Sequence, residues 1–192
     1  MTRSIGVKKK NIAVFISGTG SNLKNLIRHS LRKNSKFQIC LVISNKSKAK
    51  GLNYAKIYKI KKKIINYIDI KKAEKNILNE LKKNKIDLIC LAGYMKILSR
   101  NFIKKFKGKI INIHPSLLPK YKGLNTHQRA LDNYEEFSGC TIHYVNSKLD
   151  SGKIIIQKKV KILKNDTINR LAKRILKEEH RLYPKALKKI FN

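Results

Sequence analysis

The chain has 192 residues, 42% of them hydrophobic, so one domain of this length can bury a core without a metal or disulfide staple. No apolar run approaches the roughly 20 residues of a transmembrane helix, and residues 1–10 lack the apolar stretch of a secretory signal, so we expect a cytoplasmic protein with no membrane partner. The formal net charge of +35 comes from lysine spread along the whole chain beside abundant isoleucine and asparagine, a composition typical of an AT-rich genome, so we expect no specific nucleic-acid partner.

The first half of the chain alternates short apolar runs with segments of helical spacing. The apolar runs predict buried strands at residues 11–18, 37–44, 63–68, 86–93 and 110–113. The segments between them predict helices at residues 21–33, 49–58, 71–84 and 99–106. Continuous apolar strands separated by helices are typical of a mostly parallel sheet with helices on both faces, so the fold class is α/β.

The second half changes character, because two strands follow each other without a helix between them. A helix is predicted at residues 126–133, and strands at 139–145 and 153–160 are expected to pair antiparallel through the loop 146–152. A long helix starts near residue 167, with Asp166 or Thr167 as its N-cap.

Pro184 is expected to kink that last helix or to end its regular part. We find no internal repeat and no linker, so residues 1–192 are predicted to form one domain. Residues 1–10 form a basic N-terminal extension that need not be ordered.

The cysteines and histidines give no sign of a metal site or a disulfide framework. Cys40, Cys90 and Cys140 are widely spaced, form no CxxC pair and lie in apolar stretches, which predicts small core residues in a reducing compartment. The five histidines do not pair with cysteine or carboxylate at ligand spacing, so no metal is expected.

A glycine loop, "SGTGSNL", follows the first predicted strand directly at residues 17–23. It matches neither the dinucleotide-binding GxGxxG nor the Walker loop. Glycines let the backbone approach a ligand, and the following helix N-terminus offers N–H groups to an anion. The loop indicates a phosphate cradle made of Gly18, Gly20, Ser21 and Asn22, although a tight turn without a ligand has the same spacing.

The stretch "INIHPSLLPKYKG" places an amide and an imidazole at the end of a buried strand. Pro115 and Pro119 restrict the backbone that follows, which would fix Asn112 and His114 on a rigid support. Asn112 can donate to a developing oxyanion, and His114 can move protons near neutral pH. A lone histidine at a strand end is otherwise most often a structural residue.

Asp150 lies in "NSKLDSG", the loop between the last two predicted strands, on a chain with only 11 acidic residues. An acid beside an imidazole favours the protonated ring and raises its pKa. A turn aspartate that bonds its own backbone is an equally good interpretation of this residue taken alone.

These segments, in this order, resemble the folate-dependent glycinamide ribonucleotide formyltransferases of purine synthesis. The matching stretches are "ISGTGSNL", "LAGYMKILS", "NIHPSLLPKYKGLNTHQRAL", "GCTIHYV", "LDSGKIIIQ" and "EEHRLYP". The resemblance covers nearly the whole chain and implies a Rossmann-like formyltransferase fold. It also implies transfer of a formyl group from the co-substrate 10-formyltetrahydrofolate to the amine of glycinamide ribonucleotide, with no metal.

The resemblance also assigns roles residue by residue. Asn112, His114 and Asp150 would be the catalytic set. The ribonucleotide would contact Gly20, Ser21 and Asn22 through its phosphate and Glu179 through its ribose. The folate would contact Met95, Lys96, Ile97, Leu98, Asn112, Asn146, Ser147, Lys148, Leu149 and Asp150.

The chain departs from the family pattern at several positions. Ser151 stands where a glycine usually follows the aspartate, which predicts a stiffer folate loop, and Asn125 replaces a usual histidine. Lys96 stands where arginine is common. No arginine matches the family's contact to the folate glutamate tail, and Lys71 or Lys72 could substitute without bidentate geometry.

Other functions share part of this pattern. A methionyl-tRNA formyltransferase has the same Asn, His and Asp chemistry but carries a second domain, and a formyltetrahydrofolate deformylase carries a regulatory domain. A basic nucleic-acid-binding module is the alternative from another class. The oligomeric state, monomer or homodimer, is left open by the sequence.

Overall fold

The computed structural model describes residues 9–192, and its first half alternates strands with helices as the sequence predicts. The elements are β1 (Lys10–Ile16), α1 (Ser21–Ser30), β2 (Phe37–Ser44), α2 (Leu52–Ile57), β3 (Lys61–Ile64), α3 (Ile70–Lys83), β4 (Leu88–Leu91), α4 (Arg100–Lys105) and β5 (Lys109–His114). The second half adds α5 (Thr126–Asp132), β6 (Phe137–Tyr144), β7 (Ile154–Lys161) and α6 (Ile168–Phe191).

The strands form one sheet in the order β3-β2-β1-β4-β5-β6-β7. The pairs from β3 to β5 are parallel, and β5 pairs with β6, and β6 with β7, in antiparallel fashion. The predicted fold class, a mostly parallel α/β sheet with an antiparallel pair near the C-terminus, is confirmed. The antiparallel part is larger than predicted, because β5 also takes part in it.

Helices pack on both faces of the sheet and divide the core into two clusters. On one face α1 and α6 cover a cluster that includes Leu26, Ile111 and Tyr183. On the other face α3 and α4 cover a cluster that includes Phe15 and Phe102. Residues 12–16 of β1 are fully buried because they contribute to both faces, which explains the continuous apolar run in the sequence.

Most predicted elements agree with the observed ones to within three residues, and the third strand is the main exception. β3 covers Lys61–Ile64 rather than residues 63–68, and all four of its residues are exposed. It is an edge strand paired only with β2, and lysines on such an edge oppose pairing with another chain. The apolar residues that suggested a strand at 63–68 therefore lie mostly after β3, which is itself three lysines and one isoleucine.

Three further expectations need correction. Pro184 does not end the regular part of the last helix, because α6 begins after the Thr167 N-cap and continues through Pro184 to Phe191. Cys40 is only partly buried, whereas Cys90 and Cys140 are core residues as predicted. Lys10 already belongs to β1, and residues 1–8 of the predicted N-terminal extension lie outside the described residues.

Residues 9–192 contain no helix that is long and apolar enough to cross a membrane.

Candidate active site

A cavity of about 1070 Å³ opens at the carboxyl ends of three parallel strands. Its walls include residues that follow β1, β4 and β5. The sheet order changes direction between β1 and β4, since β2 and β3 extend to one side and β5, β6 and β7 to the other. Ligands of open α/β sheets bind in the crevice at such a switch point. The cavity is therefore the candidate active site.

The glycine loop after β1 forms one end of this cavity. Gly20 has a φ of 72°, and a Cβ at this position would lie 2.6 Å from the Cα of Gly51. Position 20 thus requires glycine both for its left-handed backbone and for the close approach of another segment. α1 begins at Ser21 without a side-chain cap, so its first N–H groups lack intrahelical partners and suit an anion. Gly18, Gly20, Ser21 and Asn22 all line the cavity.

Asn22 and Glu179 meet at the same end. Nδ2 of Asn22 donates to Oε2 of Glu179 at 2.7 Å, and both side chains are buried. Burial raises the pKa of Glu179 to about 7, although the hydrogen bond from Asn22 opposes part of this rise. Oδ1 of Asn22 is buried and has no hydrogen-bond partner among the described residues. A buried acceptor without a partner costs free energy, so a ligand that donates a hydrogen bond here would be stabilised.

His114 ends β5, and both of its ring nitrogens face acceptors. Nε2 lies 2.8 Å from the carbonyl oxygen of Tyr121, and Nδ1 lies 3.4 Å from Oδ2 of Asp150. A carbonyl oxygen only accepts, so Nε2 carries a proton and Nδ1 is the nitrogen that can exchange one.

Burial lowers the pKa of His114, and the Tyr121 carbonyl and the Asp150 carboxylate raise it only in part. Asp150 does raise the pKa of His114, as expected, but the further expectation that it keeps the ring protonated is wrong, because the net shift is downward. The physical reason is that removing an imidazolium from water costs more than the neighbouring carboxylate returns.

Asp150 lies in the loop between β6 and β7 and reaches back to the end of β5. Its Oδ2 accepts from the amide of Gly123 at 2.9 Å, and its Oδ1 lies 3.5 Å from Nε2 of His143. Burial alone would raise the pKa of Asp150, but the hydrogen bonds from His143 and Gly123 lower it, and a protonated His114 lowers it further. Asp150 is thus held as a carboxylate beside His114.

Asn112 completes the cluster, together with a residue that the sequence analysis did not select. Nδ2 of Asn112 lies 3.3 Å from Nε2 of His143 and 3.5 Å from Oδ1 of Asp150. The antiparallel register places Asn112 opposite His143. The signal for His143 was present, since it lies in the matched stretch "GCTIHYV", but its role depends on a strand register that the sequence does not reveal.

His127 was also missed. It lines the cavity, and its buried Nδ1 has no partner among the described residues. Burial and the nearby His114 lower its pKa, which favours a neutral ring with a free nitrogen.

The segments predicted to hold the folate line the same cavity. The lining includes Met95, Lys96, Ile97, Leu98, Asn146, Ser147, Lys148, Leu149 and Asp150. Met95, Ile97 and Leu149 are exposed apolar side chains, which suit an apolar ligand surface. Neither Lys71 nor Lys72 lines the cavity, and Lys72 lies 3.8 Å from Asp69. The lysines that line it are Lys96, which lies over the ring of Tyr67, and Lys148.

Two departures from the family pattern have a local structural explanation. Asn125 has a φ of 57° and precedes α5, and asparagine is among the residues that tolerate this left-handed backbone. The hydroxyl of Ser151 donates to the carbonyl of Leu149 at 2.8 Å and accepts from Nζ of Lys122 at 2.7 Å. A glycine at position 151 would make neither contact.

Within the described part of the chain, no group of three or more His, Cys, Asp or Glu side chains is arranged to hold a metal ion.

Comparisons with known proteins agree with this geometry. Residues 10–187 match the model of the formyl transferase family. The phosphoribosylglycinamide formyltransferase of Haemophilus influenzae is 43% identical over 182 residues, which cover 93% of this chain and 86% of the relative. The human trifunctional purine biosynthetic protein adenosine-3 is 42% identical over 192 residues, but these span only 18% of its length.

A solved structure shows the same fold. The crystal structure of phosphoribosylglycinamide formyltransferase from Brucella melitensis superimposes with a TM-score of 0.91 at 44% identity, covering 96% of both chains.

Proposed function

This chain belongs to the formyl transferase family, and we propose that it transfers a formyl group from 10-formyltetrahydrofolate to the amine of glycinamide ribonucleotide in de novo purine synthesis. One observation carries the proposal: Asn112, His114 and Asp150 form a cluster at one end of a cavity whose other end is a glycine loop at a helix N-terminus. The first end suits oxyanion stabilisation and proton transfer, and the second suits a phosphate. The names of the Haemophilus and Brucella relatives specify the same acceptor.

Asn112 is the proposed oxyanion donor. The amine of the acceptor attacks the formyl carbon, a new C–N bond forms, and the carbonyl electron pair moves to oxygen. A preorganised donor aimed at such an oxygen stabilises the transition state by roughly 2.7–4 kcal/mol. The contact of Nδ2 to His143 at 3.3 Å would hold the amide, while its second N–H would turn from the longer contact with Asp150, at 3.5 Å, to the oxyanion.

His114 is the proposed proton carrier. Because burial lowers its pKa, the ring is neutral when the amine attacks, and Nδ1 can accept a proton from the attacking nitrogen. The imidazolium that results lies 3.4 Å from the Asp150 carboxylate, which stabilises it. The proton then passes to N10 of the folate as the original C–N bond breaks, so tetrahydrofolate leaves neutral at that nitrogen. Asp150 thus acts on the charged ring as it forms and need not keep it charged beforehand.

The two substrates would occupy opposite ends of the cavity. Gly20, Ser21 and Asn22 would bind the ribonucleotide phosphate, and Glu179 its ribose. A ribose hydroxyl could donate to Oδ1 of Asn22, a buried acceptor that has no partner within residues 9–192. The folate would lie against residues 95–98 and the loop 146–150.

Small-molecule substrates fit a member of this family. We further propose a cytoplasmic location and no specific nucleic-acid partner, and we leave monomer and homodimer as the two candidate oligomeric states.

The test is a purified-protein assay with two acceptors and an acceptor-free control. We expect formyl transfer to glycinamide ribonucleotide and none to methionyl-tRNA. The absorbance change of the folate monitors the transfer. A preference for methionyl-tRNA would replace this proposal with the tRNA enzyme, and release of formate without any acceptor would replace it with a deformylase. Strong inhibition by RNA at physiological salt would support a nucleic-acid function instead.

A further inference from the structure

A second cleft lies between α1 and α6, and it shares no lining residue with the candidate active site. Its volume is about 570 Å³, which lies within the usual range of roughly 300–1,000 Å³ for ligand pockets. Asn25, His29 and Arg32 line one wall. The opposite wall is α6.

The α6 wall is a stripe of basic side chains on one helix face. The basic members are Lys177, His180, Arg181, Lys185 and Lys188, and Pro184 lies among them. Their spacing of three and four residues places them on one side of the helix. Leu171 and Ile175 are buried in the core, so the stripe is a separate face of α6.

The cleft is more basic than the composition of the chain explains. Lysine and arginine make up 46 of the 192 residues but five of the nine residues that line the cleft, and no acidic residue lines it. The histidines divide in the same way. His114, His127 and His143 line the active-site cavity, and the remaining two of the chain's five histidines, His29 and His180, both line this cleft.

Most of these cations have no counter-charge within residues 9–192. Arg181 lies 2.6 Å from Glu178, but Arg32, Lys177 and Lys185 form no ion pair with any described residue. Like charges at positions 177, 181 and 185 face each other along α6 and destabilise the helix. A bound anion would offset the repulsion between these side chains by attracting all of them.

A hydrogen bond also holds the two walls of the cleft together. Nδ2 of Asn25 donates to the carbonyl oxygen of His180 at 2.6 Å, which fixes α1 against α6. Nε2 of His180 is buried and has no partner among the described residues. His180 lines the cleft, so a small rotation of its ring would let this nitrogen donate to an anion oxygen.

We propose that this cleft binds a small polyanion with several phosphate groups, such as inorganic tripolyphosphate or the triphosphate of a nucleotide. Two arginines and three lysines can distribute over three phosphates, whereas a single phosphate engages only part of the stripe. No phenylalanine, tyrosine or tryptophan lines the cleft, so it lacks the stacking platforms of single-stranded nucleic-acid sites. The proposal does not depend on the formyl transfer reaction.

The histidines provide the experiment. We would titrate sodium tripolyphosphate into the full chain at about 0.15 M salt, where distant charges are largely screened, and follow all five imidazoles by NMR. We expect the resonances of His29 and His180 to shift together and to reach a plateau as tripolyphosphate is added. The dissociation constant for orthophosphate should be larger by at least about tenfold. Shifts confined to His114, His127 and His143 would place the anion in the active site and overturn the proposal.

A matched pair of double variants separates a site from general charge. Arg32→Gln with Arg181→Gln removes two cleft arginines, and Arg28→Gln with Arg100→Gln removes the same charge from exposed positions outside both cavities. All four positions are exposed, so we expect both variants to fold, and thermal melting checks this.

We expect the cleft variant to weaken tripolyphosphate binding by about tenfold or more and the control by less than about twofold. Equal weakening in both would show attraction by net charge alone and would overturn the proposal. A second result would also overturn the proposal: a mixed-sequence oligonucleotide that displaces tripolyphosphate from His29 and His180 when its own phosphate concentration is below that of the tripolyphosphate. The cleft would then be part of a nucleic-acid surface.

Discussion

The two ends of the active-site cavity satisfy their polar groups in opposite ways. Among the four residues of the transfer end, Asn112, His114, His143 and Asp150, no buried polar side-chain atom lacks a partner within residues 9–192, although Nδ1 of the nearby His127 does. At the cradle end, which comprises residues 20–22 and Glu179, Oδ1 of Asn22 is unpaired and the pKa of Glu179 is raised by burial to about 7. The difference shows that groups which must be ready to act are paired with each other, whereas groups which must bind leave hydrogen-bonding capacity for the ligand.

The largest expected effect comes from removing the charge at the transfer end. We expect Asp150→Asn to lower kcat by about 10³-fold, because the imidazolium formed during transfer loses its carboxylate. The φ of 43° at this position is tolerated by asparagine, and the side-chain oxygen can still accept from Gly123, so the fold should persist.

Asp132→Asn is the matched control, because Asp132 is an exposed carboxylate outside the cavity. Steady-state kinetics and thermal melting measure both variants. NMR titration should also show a lower pKa for His114 in Asp150→Asn, since the carboxylate raises that pKa. A kcat within about threefold of the unmodified chain would remove Asp150 from the catalytic set.

The second prediction concerns the pH dependence of stability at the cradle end. The pKa of Glu179 is about 7 in the folded chain, against an ordinary value of 4.5. Between these two pH values the folded state therefore holds a proton that the unfolded state has lost. The stability contributed by this group is therefore present at low pH and falls as pH rises through about 7. Between pH 5 and 8 the loss should be on the order of 2 kcal/mol.

Glu179→Gln stays neutral and should remove this loss, which denaturant unfolding at several pH values would measure. Glu178→Gln is the control, because the neighbouring Glu178 pairs with Arg181 at the surface. If the stability of the Glu179→Gln variant fell with pH as steeply as that of the unmodified chain, the raised pKa would not be the cause.

The third prediction separates the two ends kinetically. We expect Asn22→Ala to raise the KM for glycinamide ribonucleotide by about tenfold and to leave the KM for the folate nearly unchanged. The reason is that Asn22 contacts the cradle end and lies outside the folate segments. Arg28→Ala, at an exposed position of the same helix outside this cavity, is the control. Equal increases in both KM values would contradict a separate ribonucleotide end.

The smallest effect is expected at His143, which we assign a positioning role. His143→Gln should lower kcat by about fivefold, because Asn112 and Asp150 lose a shared contact but keep each other. The hydrogen bond from His143 lowers the pKa of Asp150, so the acidic limb of the pH–rate profile should move to higher pH. A lower rate with an unmoved profile would indicate a purely structural residue.

The sequence by itself determined the α/β fold class and most of its strands, because buried parallel strands appear as continuous apolar runs between helical segments. It also determined that Asn112 and His114 share one strand end, since they are two residues apart on β5 and their side chains emerge close together. The glycine loop was equally visible, because the backbone at Gly20 requires that residue type locally. These features depend on neighbours in the chain.

Only the tertiary structure decided the features that depend on distant residues. Asn22 and Glu179 are 157 positions apart, and Asn112 meets His143 through a strand register that no local pattern encodes. The exposed edge strand β3 lacked an apolar signal because only its position in the sheet defines it. The pKa of His114 was predicted in the wrong direction for the same reason: the sequence shows a nearby carboxylate, whereas the desolvation that outweighs it arises only when the surrounding segments pack around the ring.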